Sequence, residues 1–197
     1  MSAFRYRILV VDDDEGIRTM AKAILESQGY EVQCAVDGFD ALTALTHSLP
    51  DVIISDLQMP SMSGFEFLSV VRKRFPRIPV VAISGAFSGR DIPDSILADA
   101  FFEKGQYSPS ELFEKIVALL EELPSRQAVE RRLKPAIWIP VSDADYIAVT
   151  CPSCLRTFPV PAPLPVGTHT AECAACSSPV LFHITDEFRT RGAASQS

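Results

Sequence analysis

No apolar stretch in this chain approaches the roughly 20 residues needed to cross a bilayer, which argues against a membrane-spanning helix. The N-terminus MSAFRYRILVVDDD also lacks a cleavable signal pattern, because acids follow the apolar run at once. Together the two absences predict a cytoplasmic protein. Cysteine is almost missing from the front of the chain, where Cys34 stands alone as a small apolar filler. Positive charge is scarce there too. Residues 1–123 carry 11 Lys/Arg against 19 Asp/Glu, a net −8 that disfavours contact with nucleic acid. Residues 124–197 carry 7 against 6, a net +1. The glycine-rich and histidine motifs of a kinase are missing, and the chain past residue 123 is too short for a helix-turn-helix output domain.

What is present is apolar material, 47% of 197 residues, enough for one or two packed domains. RILVV (7–11), YEVQCAV (30–36), DVIIS (51–55), PVVAIS (79–84) and AFFE (100–103) read as strands. Helical spacing runs through GIRTMAKAILESQG (16–29), FDALTALTHS (39–48), GFEFLSVVRKRF (64–75) and PSELFEKIVALLEEL (109–123). The first ends at Gly29, the third stops before Pro76, and Ser108 or Ser110 caps the last. Strands that are apolar throughout suit a parallel sheet covered on both faces. Their alternation with helices predicts a doubly wound α/β domain of five parallel strands.

In such a sheet, functional groups gather beyond the carboxyl ends of the strands. Asp12 and Asp13 follow the first strand, Asp56 the third, Ser84 ends the fourth and Lys104 follows the fifth. The pieces VVDD (10–13), ISDLQMPSMSG (54–64), AISG (82–85) and FFEKG (101–105) come in order. Each alone is weak, and an acid run by itself is usually a solvated turn. As a set they resemble the receiver domain of two-component response regulators, a CheY-like, flavodoxin-like fold, over residues 5 to about 123. That resemblance implies Asp56 as phosphoacceptor and Asp12, Asp13, Asp56 and the Gln58 carbonyl as Mg²⁺ ligands. It also implies catalytic roles for Ser84 and Lys104 beside Asp56, and a switch pair of Ser84 and Phe101. An aspartate can attack the phosphorus of a phosphohistidine, and the charge on the transferring group calls for cations. A hard dication prefers carboxylates, which explains why mutually repelling acids are kept together. Asp14 and Glu15 instead begin the next helix, where acids suit the dipole.

Two departures stand out. Ser84 and Lys104 are 20 residues apart, a little short for the family, and FSGRDIPDSILAD between them contains Pro93. This predicts a truncated or irregular fourth helix. Gly105 follows Lys104 where the family commonly has proline.

The remaining cysteines form two pairs, CPSC (151–154) and CAAC (173–176), with 18 residues between them. Paired CxxC turns can place Cys151, Cys154, Cys173 and Cys176 around one tetrahedral Zn²⁺. A redox dithiol pair and an iron–sulfur cluster are the alternatives. CPSCLRTFPVP, LPVG and AECAAC resemble a short bacterial zinc ribbon, in which His169 and His183 are spare candidate ligands. Short β-like pieces, YIAVT, FPV and VLFHI, surround the pairs. From Tyr146 to Ile184 the only Lys or Arg is Arg156, too little for gripping a phosphate backbone. The apolar stretch Phe158 to Val166 reads instead as an edge strand that a protein partner could extend.

The expected organisation is a receiver at 1–123, a linker at 124–144, a ribbon at 145–186 and a disordered tail at 187–197. The expected protein is a regulator rather than an enzyme with a separate substrate. A histidine kinase or phosphotransfer protein phosphorylates it, and the ribbon contacts an unknown protein partner, with no membrane or nucleic acid involved. A nucleic-acid-reading transcriptional regulator and an unphosphorylated scaffold are the rival readings. The sequence leaves the oligomeric state open, a homodimer included.

Overall fold

The computed structural model describes residues 6–85, 97–122, 137–141 and 145–186. The chain divides into two compact units, Met1–Arg131 and Arg132–Ser197.

In the first unit the strands are β1 (Arg7–Val11), β2 (Glu31–Ala35), β3 (Val52–Asp56), β4 (Val80–Ser84) and β5 (Ala100–Glu103). They pair in parallel in the order β2-β1-β3-β4-β5. All residues of β3 and β4 are buried, as expected where helices cover both sheet faces. This is the doubly wound arrangement, and β1 and β3 lie side by side where the strand order reverses. Each helix begins on a side-chain cap. Asp14 caps α1 (Glu15–Ser27) and Asp37 caps α2 (Gly38–His47). Ser63 and Glu66 form a capping box on α3 (Gly64–Arg74), and Ser108 and Glu111 form another on α4 (Pro109–Glu121). The cap of α4 is therefore Ser108 and not Ser110. A core of Ile8, Val10, Val32, Val52, Ile54, Val81 and Ile83 on the strands packs against Leu25, Ile116, Leu119 and Leu120.

One buried ion pair ties α3 to the start of β5. Arg72 is 2% exposed; it donates through Nε to the Leu97 carbonyl (2.6 Å) and through Nη1 to that of Ile78 (2.8 Å). Its Nη2 meets Asp99, whose Oδ2 also accepts the Val80 N–H at 2.8 Å. Both charges have their bonds satisfied, the condition under which a buried pair is tolerated.

The second unit holds β6 (Ile137–Pro140), β7 (Tyr146–Thr150), β8 (Thr157–Pro161), β9 (Gly167–Glu172) and β10 (Pro179–Thr185). They form a three-stranded sheet, β6-β10-β9, and a two-stranded one, β7-β8. Among the described residues, Ile137, Ile139, Ile147, Val149, Phe158, Val180, Phe182 and Ile184 are buried together with Cys151 and Cys173. The expected linker at 124–144 is too long by this measure. Residues 137–140 pair in parallel with β10 and bury Ile137 and Ile139. The flanking Pro135 and Pro140 disguised a strand that its partner supports.

A second correction concerns the edge at Phe158–Val166. Ala162 N–H donates to the Asp145 carbonyl and Cys151 N–H to that of Arg156, both at 2.9 Å. Bonded and non-bonded pairs alternate in an antiparallel ladder, so Phe158 and Val160 bond inward to β7. Pro159 and Pro161 then occupy outward positions, where they offer no N–H. A partner strand cannot extend β8 in the way expected.

The segment expected as an irregular helix falls largely in 86–96, outside the described residues, as do 124–136 of the expected linker and the tail 187–197. Among the described residues no helix is long and apolar enough to cross a membrane.

Candidate functional site

Asp12 directly follows β1, Asp56 ends β3, Ser84 ends β4 and Lys104 follows β5, so adjacent parallel strands deliver four side chains to one edge. The carboxylate oxygens of Asp12, Asp13 and Asp56 come within 4.8 Å of one another. Asp12 and Asp56 are each 4% exposed, whereas Asp13 faces solvent. Lys104 Nζ bridges the buried pair, 2.9 Å from Asp12 Oδ2 and 2.6 Å from Asp56 Oδ2. The acids are held by backbone as well. Asp12 Oδ1 accepts the Asp14 N–H at 2.9 Å, and Asp56 Oδ1 accepts the Gln58 N–H at 3.1 Å.

Burial pushes the Asp56 carboxyl above its usual range; Lys104 and the Gln58 amide oppose that shift, and the Asp12 charge adds to it. Burial works against the Lys104 ammonium, but its bonds to Asp56 and Asp12 outweigh this and hold its pKa raised. Three clustered carboxylates, two of them bonded to one ammonium, leave an excess of negative charge carried on hard oxygen donors. The donor set fits a divalent cation such as Mg²⁺.

Ser84 is fully buried, and its carbonyl accepts the Lys104 N–H at 2.9 Å, which fixes the start of the lysine loop. Phe101 is half-buried on β5 opposite Ala82. Gly64 has a steric reason to be glycine, since a Cβ there would sit 2.0 Å from the Asp56 carbonyl oxygen. Helix α3 therefore starts in direct contact with the backbone of Asp56. Arg18 was not anticipated; its Nη1 donates to the Asp12 carbonyl at 2.6 Å. It lies on an ordinary amphipathic helix, so no local signal marks it.

The four clustered cysteines sit in the turns of two hairpins. Between β7 and β8, Leu155 N–H donates to the Cys151 carbonyl at 2.8 Å; between β9 and β10, Ser177 N–H donates to that of Cys173 at 2.9 Å. Leu155 (φ 60°) and Ser177 (φ 56°) both adopt the left-handed conformation directly after the second cysteine. Two equivalent turns therefore face each other. Cys151 and Cys176 sulfurs are 3.7 Å apart, as are those of Cys154 and Cys173. Four sulfurs about 2.3 Å from one tetrahedral ion would be spaced about 3.8 Å. A disulfide needs about 2.05 Å. Hydrogen bonds from the Ser178 hydroxyl and amide lower the Cys176 thiol, while burial and the neighbouring sulfurs raise Cys154. The set suits one thiolate-bound ion such as Zn²⁺. His169 and His183 are engaged elsewhere: His169 bonds the Pro165 carbonyl through Nε2, and His183 Nδ1 lies 3.0 Å from Thr168 Oγ1.

Comparison with known proteins bears on the first unit. The model of the response regulator receiver domain matches residues 8–116. Response regulator MprA of Mycobacterium avium is 32% identical over 144 residues, 73% of this chain and 57% of that protein. The uncharacterized transcriptional regulatory protein YrkP of Bacillus subtilis is 38% identical over 117 residues, 58% of this chain and 49% of its own length. The chain thus spans between about half and three-fifths of these curated relatives. A CheY-like receiver domain protein of Methanospirillum hungatei superposes with a TM-score of 0.57 at 30% identity, covering 63% of this chain and 100% of its own. The Thermotoga maritima response regulator TrrA, solved with Mg(2+)-BeF, gives 0.53 at 35% identity, covering 58% and 98%.

Proposed function

The chain belongs to the response regulator receiver domain family, and from that premise we propose that Asp56 accepts a phosphoryl group and that the four-cysteine unit passes the signal on. The clustering of Asp12, Asp13 and Asp56, with Asp12 and Asp56 both bonded to Lys104, carries this reading. Asp12, Asp13, Asp56 and the Gln58 carbonyl would hold Mg²⁺, which when bound would supply positive charge for the phosphoryl oxygens. An Asp56 carboxylate oxygen attacks the phosphorus of a phosphohistidine on a kinase or phosphotransfer protein. The P–N bond breaks, the histidine nitrogen takes the bonding pair, and an acyl phosphate forms. Lys104 Nζ, already 2.6 Å from Asp56 Oδ2, pairs with the new phosphoryl oxygens. Ser84 donates its hydroxyl to them, and Phe101 follows Ser84 as the switch. The protein is a cytoplasmic regulator, not an enzyme with a separate substrate.

Metal titration tests the acid site. Asp13→Ala removes a ligand, whereas Asp14→Ala removes a helix-capping carboxylate and screened charge. The first should weaken Mg²⁺ binding at least about tenfold and the second less than about twofold. Equal effects would show that the metal ligands are misassigned.

The Cys151, Cys154, Cys173 and Cys176 unit acts as a zinc ribbon that contacts a protein. The rival reading, a ribbon that reads nucleic acid, has little charge to work with, since Arg156 is the only Lys or Arg between Tyr146 and Ile184. A mobility-shift series against DNA and RNA pools should show no sub-micromolar binding at physiological salt. Salt-sensitive binding tighter than that would favour the rival.

A further inference from the structure

Exposed strand edges pair with other chains unless something blocks them. Cys173 N–H donates to the Ser178 carbonyl at 3.0 Å, and the β9–β10 register continues through Ala171↔Val180, His169↔Phe182 and Gly167↔Ile184. Because bonded pairs alternate with non-bonded ones, those residues spend their main-chain groups on β10. Thr168, Thr170 and Glu172 turn theirs outward, and all three are exposed. The other edges of the unit differ. The outward positions of β8 include Pro159 and Pro161. Those of β7 are Tyr146, Ala148 and Thr150, of which Ala148 is half-buried and Thr150 buried. β6 is four residues long and ends at Pro140. Among the described strands of this unit, β9 alone offers an exposed edge free of proline, with Glu172 as its one charge.

We propose that the β9 edge is a strand-addition site and that its occupant is β9 of a second copy of this chain. The strand is complementary to itself. Antiparallel pairing about Thr170 sets Thr170 against Thr170 and Glu172 against Thr168 at both ends. No like charges meet, and paired hydroxyls across strands are favourable. Thr168 Oγ1 lies 3.0 Å from His183 Nδ1, so each Glu172 carboxylate arrives beside a hydroxyl and an imidazole. Moving the two-fold centre to Glu172, a register slip of four residues, would place the two carboxylates opposite each other. Three facing pairs supply about six main-chain hydrogen bonds. So narrow a contact falls short of the about 1,200 Å² of a stable complex, which makes the dimer weak and reversible. The inference rests on strand geometry alone and does not depend on phosphorylation.

Sedimentation equilibrium of the full chain, up to about 1 mM, tests it. A monomer–dimer equilibrium is expected. Thr170→Pro removes an outward N–H without touching a β9–β10 bond, and should raise the dimer Kd at least about tenfold. Thr170→Glu places two carboxylates face to face and should weaken the dimer likewise, which keeps the test intact where the proline variant fails to fold. Thr168→Lys, opposite Glu172 of the partner subunit, should tighten it about threefold. A chain that stays monomeric throughout overturns the proposal. So does a dimer indifferent to both Thr170 variants, or one that Thr168→Lys weakens.

Discussion

Asp56→Asn will take up no phosphoryl group from acetyl phosphate and Mg²⁺, whereas the unaltered chain will acquire a hydroxylamine-sensitive label. The acyl phosphate needs a carboxylate nucleophile, and among the three clustered acids Asp56 has the ammonium closest, at 2.6 Å. Asp12 lies farther from that ammonium, at 2.9 Å, and Asp13 lies out in solvent, so neither is expected to replace it. Misfolding can be separated from lost chemistry. The Asp56 carboxyl is raised, chiefly by burial, so its contribution favours the fold most below the unfolded carboxylate range and is lost as pH rises through the folded pKa. At pH 7 the buried charge is thus a cost, and the neutral variant should melt at the same temperature or higher. A thermal scan checks this on the sample used for labelling. Full labelling of Asp56→Asn would remove Asp56 as the acceptor.

Chelation of the cysteine-bound metal will unfold the second unit and leave the first standing. Metal analysis should find one zinc per chain. The second unit spans only Arg132–Ser197, a size at which an apolar core rarely supplies more than about 3–5 kcal/mol. Cys151 and Cys173 are almost fully buried, and four sulfurs this close repel one another once they carry charge. Structural zinc contributes about 10–16 kcal/mol in small metal-dependent folds at neutral pH, far more than such a core can replace. Loss of the Phe182, His169 and Trp138 ring environments, followed by NMR, should accompany chelation. The first unit has its own core around Ile8, Val52 and Ile116, so a separate thermal transition should remain. Cys173→Ser should reproduce the chelated state. Iron in the metal analysis, or a metal-free second unit with its amide dispersion intact, would contradict the zinc assignment.

Most of the first unit is legible in the order of its residues. Strands at 7–11, 51–55, 79–84 and 100–103 lie within a residue of β1, β3, β4 and β5, because continuous apolar runs bounded by polar residues leave little choice of element. The positions of Asp12, Asp56, Ser84 and Lys104 followed, since a parallel sheet sends every strand's carboxyl end to one edge. Caps were legible as residue types, although choosing Ser108 over Ser110 required the helix itself. Tertiary structure decided what depends on a distant partner. Nothing near Arg72 announces Asp99, 27 residues on, because a buried ion pair is defined by packing rather than spacing. β9, GTHTAE, has no large apolar residue and is a strand only because β10 pairs with it. β6 was hidden in a supposed linker because prolines flank it and its partner β10 lies 45 residues on. The direction of each edge was likewise invisible. Whether an N–H points into the ladder or out of it depends on which residues pair, and shifting that pairing by one residue would turn Pro159 inward and Thr170 with it. Residue type sets what a strand can do, and the hydrogen-bond register decides which side does it.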